Sequence, residues 1–149
     1  MFHLERASLV AAAFALGVSA AQAETIEVKG QGVKFVPDLI RVNVGDTIAF
    51  RSMSTHFVEI VKGMWPEGAP EMKSDMSKDY DYQVIKEGLY VFKCPPHWGA
   101  RMGGVMVVGK PADLKAKVEE YLKVADTDKE AKPAAYILKK FQEATAAQP

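Results

Sequence analysis

The chain has 149 residues, with 19 basic and 19 acidic side chains and no net charge at neutral pH. That balance excludes the broad basic field by which a protein holds nucleic acid. A single cysteine excludes an intramolecular disulfide framework, and no glycine-rich phosphate loop, internal repeat or low-complexity tract is present.

At the N-terminus, Arg6 precedes an apolar run over residues 7–18, and Ser19-Ala20-Ala21-Gln22-Ala23 supplies an A-x-A cleavage signal ahead of Glu24. The apolar run is too short to cross a bilayer, which takes about twenty residues. Residues 1–23 are therefore expected to be a secretory signal peptide, and residues 24–149 a single mature domain with no membrane insertion after cleavage. The expected compartment is a bacterial periplasm, where a lone cysteine is either an odd reactive thiol or a metal ligand.

The first part of the mature chain is punctuated like an antiparallel sheet. Ile26 and Val28 alternate with polar residues, Lys34–Val36 is a short strand, residues 39–44 alternate again, and Val44-Gly45-Asp46 turns the chain into Thr47–Arg51. A strand over residues 56–61 is expected next, carrying His56. The stretch Gly63-Met64-Trp65-Pro66-Glu67-Gly68-Ala69-Pro70, with two prolines and two glycines, is a loop leading to a strand over 80–85. Lys86-Glu87-Gly88 turns back into residues 89–93, and residues 104–108 resume an apolar β-rich segment. Seven or so short strands with frequent turns indicate a β-sandwich. From about residue 111 the period changes. Residues 113–125 and 134–144 carry apolar residues at helical spacing, with Pro111 at the start of the first helix and Lys132-Pro133 before the second.

Between the last two strands lies Cys94-Pro95-Pro96-His97-Trp98-Gly99-Ala100-Arg101-Met102, which puts thiolate, imidazole and thioether in one loop. Copper cycles between a cuprous ion that prefers soft sulfur and a cupric ion that accepts nitrogen, so this mixed shell suits both. With His3 in the leader, His56 is the remaining second imidazole. His56, Cys94, His97 and Met102 then form a two-His, one-Cys, weak-Met site with no position left for a substrate, and outer-sphere electron transfer follows. Each residue has an ordinary explanation: His56 as a hydrogen-bonded core histidine, Cys94 as a small core hydrophobe, Met102 as a gap-filler. The conjunction of all four on a secreted β-rich chain favours copper. A cysteine hydrolase lacks an evident oxyanion donor and orienting acid, and a structural zinc site leaves Met102 without a role. A copper carrier or buffer would use the same ligands and is the alternative function.

With its Cys94-Pro95-Pro96-His97 loop, Met102 five residues beyond the histidine, His56-Phe57-Val58-Glu59, the residue 64–69 loop and the paired helices, the chain resembles the pseudoazurin family of blue copper proteins in the cupredoxin class. The resemblance implies an eight-stranded Greek-key sandwich followed by two helices, one type 1 copper ion on His56, Cys94, His97 and Met102, and no enzymatic activity. It implies a periplasmic oxidoreductase as partner, with copper nitrite reductase the expected example, met by a monomer. Two positions depart from the family pattern. Phe57 and Pro95 stand where an asparagine side chain commonly tethers the ligand loop; Phe57 still offers a backbone N–H to the Cys94 sulfur, whereas Pro95 has none to give. Arg101 stands where the family often has a small residue. For docking, His97 framed by Pro96 and Trp98 is the expected exposed patch, with Lys62, Lys73, Lys78, Lys93 and Arg101 in or near the segments around it. Lys139 and Lys140, on the second helix, are expected to lie away from it.

Overall fold

A computed structural model describes residues 22–147. The expected leader falls outside these residues except for Gln22 and Ala23. Eight strands form two four-stranded sheets: β1 (Thr25–Gln31), β2 (Lys34–Val36), β4 (Thr47–Arg51) and β6 (Tyr80–Gln83) in the order β2-β1-β4-β6, and β3 (Leu39–Val42), β5 (Glu59–Ile60), β7 (Gly88–Lys93) and β8 (Gly103–Val108) in the order β3-β8-β7-β5. The β1–β4 and β3–β8 pairs are parallel and the rest antiparallel. Two helices follow, α1 (Leu114–Thr127) and α2 (Ala134–Ala146). This is the expected sandwich with a helical extension.

Burial explains why β7 and β8 read as unbroken apolar runs rather than as alternating strands. Between the sheets lie Val28, Phe35, Ile48, Phe50, Tyr90, Phe92 and Met106. The opposite face of the second sheet sends Leu89, Val91, Val105 and Val107 into a separate core with Val118, Tyr121, Ile137, Leu138 and Phe141 of the helices. A strand covered on both faces has no polar side to show. Phe92 meets Phe35 and Phe50 at ring-centroid distances of 5.5 Å, which stiffens β7 two residues before Cys94.

The start of β1 is tied down by a carboxylate. Asp46, in the β3–β4 turn, accepts the Glu24 N–H at 2.9 Å on one oxygen and the Asn43 N–H at 2.7 Å on the other. It is buried, and these two donors hold its carboxyl below the usual carboxylate range, the Glu24 bond contributing most. Thr47 N–H donates to the Glu24 carbonyl at 2.8 Å, beginning the parallel β1–β4 ladder.

Several boundaries differ from the sequence reading. The strand expected over 56–61 is confined to Glu59–Ile60, because its ladder with β7 spans only Lys93 and Phe92 and a single bridge joins Glu59 to Lys73 on its other side. Upstream, Ser52 and Thr55 take left-handed φ values of 57° and 64° and bend the chain out of extension. His56 therefore sits on a loop rather than on a strand. The helices each run two residues further than their apolar periodicity marks.

Candidate metal centre

The loop carrying His56 is pinned from both sides. His56 N–H donates to the Met53 carbonyl at 2.9 Å, and its own carbonyl accepts the Ser77 N–H at 2.8 Å. Thr55 N–H reaches Ser77 Oγ at 3.0 Å, and Val58 N–H reaches Ser74 Oγ at 3.0 Å. Two serines of the segment before β6 thus replace the ladder that β5 does not extend this far. The imidazole, 5% exposed, lies against Gly30 of β1. A Cβ at Gly30 would come 2.8 Å from His56 Cδ2 and 3.0 Å from the Ser52 carbonyl, so the ring fits only because that strand position has no side chain.

Cys94 directly follows β7, and its N–H donates to the Met102 carbonyl at 2.8 Å, closing the loop at its base, where Lys93 and Gly103 still pair in register. Pro95–Ala100 then forms a 3-10 helix. Prolines suit its first positions, where backbone N–H groups have no helical partner. His97 N–H bonds the Cys94 carbonyl at 3.1 Å, Arg101 N–H the Trp98 carbonyl at 2.8 Å and Met102 N–H the His97 carbonyl at 3.2 Å. The nine-residue loop is therefore ordered mainly by its own backbone.

The two loops bring three donor atoms together. His56 Nδ1 lies 3.2 Å from His97 Nδ1 and 3.7 Å from Cys94 Sγ, and Cys94 Sγ lies 3.5 Å from His97 Nδ1. They form the one cluster of possible His, Cys, Asp or Glu metal ligands among the described residues. A point equidistant from the three atoms is about 2 Å from each, close to the roughly 2.0–2.3 Å that imidazole nitrogen and thiolate sulfur keep from a first-row ion. The residues present fit a trigonal metal. Met102 is fully buried in the same core cluster as Cys94, one hydrogen bond from each of Cys94 and His97.

Burial sets the protonation of this shell. Desolvation pushes the Cys94 thiol up, opposed by the backbone N–H groups of Phe57 and His97 directed at its sulfur. The Phe57 donor is the one its sequence position offers, and His97 supplies the second in place of the missing Pro95 N–H. Desolvation, followed by repulsion from His97, pulls His56 down. An ion held here would have to displace the Cys94 thiol proton and would meet a neutral His56 imidazole.

The surroundings correct the expected docking patch. His97 is half-buried and Pro96 exposed, but Trp98 is only 8% exposed; it packs into the helical core, and its indole N–H donates to the Glu130 carbonyl at 2.6 Å. It anchors the loop rather than framing an open face. Lys93 pairs with Glu59 at 3.2 Å instead of standing free. Lys62, Lys73, Lys78 and Arg101 are exposed. Lys140 pairs with Asp38, whose carbonyl bonds Val105 N–H three residues beyond Met102, so the second helix does not lie remote from the ligand loop. Gly30, Ser74, Ser77 and Gly103 were not singled out by the sequence; a glycine inside a strand was the available signal for the first, and nothing marked the serines.

The model of the family described as copper binding proteins, plastocyanin/azurin family, matches residues 22–109. Pseudoazurin of Paracoccus pantotrophus is 37% identical over 123 residues, covering 78% of this chain and 85% of that protein. Pseudoazurin of Methylorubrum extorquens is 36% identical over 118 residues, covering 72% and 80%. A refined crystal structure of pseudoazurin from Methylobacterium extorquens AM1 aligns with a TM-score of 0.58 at 37% identity, over 63% of this chain and 83% of that one. With the strand order, the helical extension and a His-Cys-His cluster of metal-binding dimensions, these likenesses show that the chain belongs to the plastocyanin/azurin family of copper binding proteins, on its pseudoazurin branch.

Proposed function

We propose that this protein is a one-electron carrier whose single copper ion is held by His56, Cys94 and His97 with Met102 as the weak fourth ligand. The observation that carries the reading is the triangle of Nδ1, Sγ and Nδ1 atoms, 3.2 to 3.7 Å on a side, drawn from two loops that are braced by backbone and serine hydrogen bonds. Copper bound there supplies a one-electron couple. The chain's own part is to keep the donors where they are in both oxidation states. Buried His56, Cys94 and Met102 exclude water, and half-buried His97 gives the electron a route to the surface beside Pro96.

The expected partner is a periplasmic redox enzyme, with copper nitrite reductase the first to test, reached through His97 and Pro96 with Arg101 on the same loop and the exposed Lys62 as a further cation to test. Residues 1–23 would act as the leader that delivers the chain to that compartment, and the mature protein would work as a monomer. Absence of a leader cleavage product on secretion would overturn the location without touching the copper centre.

Stopped-flow reduction and reoxidation by a small inorganic redox reagent tests the function. Fast, reversible exchange with an unchanged copper content is expected. Slow exchange, or loss of copper on each reduction, would instead indicate a copper carrier or buffer.

A further inference from the structure

Arg101 is the residue before Met102, and it holds a left-handed backbone, φ 64° and ψ 31°. That conformation crowds the Cβ of any residue but glycine, so an arginine there calls for an offsetting contact. Its guanidinium lies 4.6 Å from the centroid of the Tyr136 ring, on the first turn of α2. Three residues earlier in the loop, the Trp98 indole N–H is held by the Glu130 carbonyl in the α1–α2 connection. Just past Met102, Gly103 lies so close to α2 that an added Cβ would come 2.7 Å from Trp98 Cζ3 and 2.9 Å from Ile137 Cδ1. The helical extension thus touches the ligand loop at Trp98 and Arg101, both between His97 and Met102, and touches the chain again at Gly103 just past Met102.

We propose that the helical extension positions the copper-ligand loop, and that the Arg101–Tyr136 contact is its clasp on the Met102 side. The inference rests on the copper assignment for its effect on potential, but not for its effect on the loop. Trp98 and Ile137 belong to the packed core, whereas Tyr136 is 52% exposed and buries little of its ring. A tyrosine left on the surface under an arginine contributes through the cation over its face. By that contact the clasp holds the backbone of Arg101 and Met102, whose N–H groups close the loop onto the Trp98 and His97 carbonyls. Neither Arg101 nor Tyr136 is a ligand; both act through the position of the loop.

The test compares Tyr136→Leu, Tyr136→Phe and Arg101→Asn with the wild type, asparagine being tolerant of the left-handed backbone. In the metal-free proteins, amide hydrogen exchange at Arg101 and Met102 should quicken about two- to fivefold in Tyr136→Leu and Arg101→Asn, with no change at Ile48 and Phe50 of β4. Tyr136→Phe, which keeps an aromatic face, should exchange at the wild-type rate. In the copper-loaded proteins the reduction potential should rise in the first two variants and return in Tyr136→Phe, because cuprous copper tolerates a loosened shell better than cupric copper. Wild-type exchange and potential in Tyr136→Leu would overturn the clasp, as would a Tyr136→Phe variant that behaves like Tyr136→Leu. A wild type that takes up copper without a thiolate band would overturn the copper assignment alone, and exchange in the metal-free protein would still decide the clasp.

Discussion

Lys93 and Glu59 stand opposite each other in the β5–β7 ladder, and their side chains pair at 3.2 Å. The lysine adjacent to Cys94 in sequence is therefore neutralised before any partner arrives. Because this protein has no net charge, steering depends on local unpaired cations. Charge reversal at Lys62 should slow association with purified copper nitrite reductase more than Lys93→Gln or Lys140→Gln, and the wild-type rate should fall with ionic strength. Second-order electron-transfer kinetics across a salt series measures both. A rate flat in salt would leave recognition to the apolar surface at Pro96 and His97.

The metal centre itself is tested by two substitutions. If the Cys94 thiolate is the covalent ligand, Cys94→Ser should abolish the intense thiolate-to-copper absorption band with the fold retained by circular dichroism. Met102→Gln should keep that band and shift the potential, since an axial donor tunes the site rather than creating it. An unchanged potential would remove Met102 from the shell.

At Gly30 the expected damage is specific to His56. Gly30→Ala drives a methyl group toward His56 Cδ2 and the Ser52 carbonyl and should cost about 1–3 kcal/mol in thermal or denaturant unfolding, the usual range for overpacking a close-fitted site. Copper affinity, measured by competition with a chelator, should fall as well. Unaltered affinity with reduced stability would mean that the ring moves aside without leaving the site.

Asp46 should make the protein acid-sensitive. Its folded pKa is depressed, chiefly by the Glu24 N–H, so its stabilisation is complete above the unfolded value of about 3.9 and is lost as pH falls through the lower folded value. Asp46→Asn should cost about 1–3 kcal/mol at pH 7, the range for hydrogen bonds to a charged acceptor. The gap between wild type and variant should close only below about pH 4. Denaturant unfolding at pH 7, 5 and 3 follows it, and a gap that is constant across that range would assign the effect to packing.

The sandwich and the grouping of His56, Cys94 and His97 were legible because they rest on local chemistry: turn residues at short intervals, a change of period at the helices, and side chains of metal-binding type. His56 was misplaced on a strand because the apolar run after it looks extended, whereas its pairing depends on where β7 ends and on two residues with left-handed backbones. Trp98 was read as a surface aromatic because prolines and glycine surround it. Its burial comes from the helical core, and its indole bond from Glu130 in the α1–α2 connection 32 residues on, contacts with no local signature. Neutralisation of Lys93 was hidden for the same reason, since its partner is brought in by strand register.

The Asp46 clasp bears on how the protein is made. The nitrogen it holds belongs to Glu24, the residue that cleavage after Ala23 would expose. Processing at that bond would turn an amide donor into an ammonium group 2.9 Å from a buried carboxylate, so maturation would itself add an ion pair at the edge of the sandwich. A recombinant chain that retains a methionine or a tag ahead of Glu24 would keep the amide and lack that charge. Its unfolding midpoint would understate that of the secreted form.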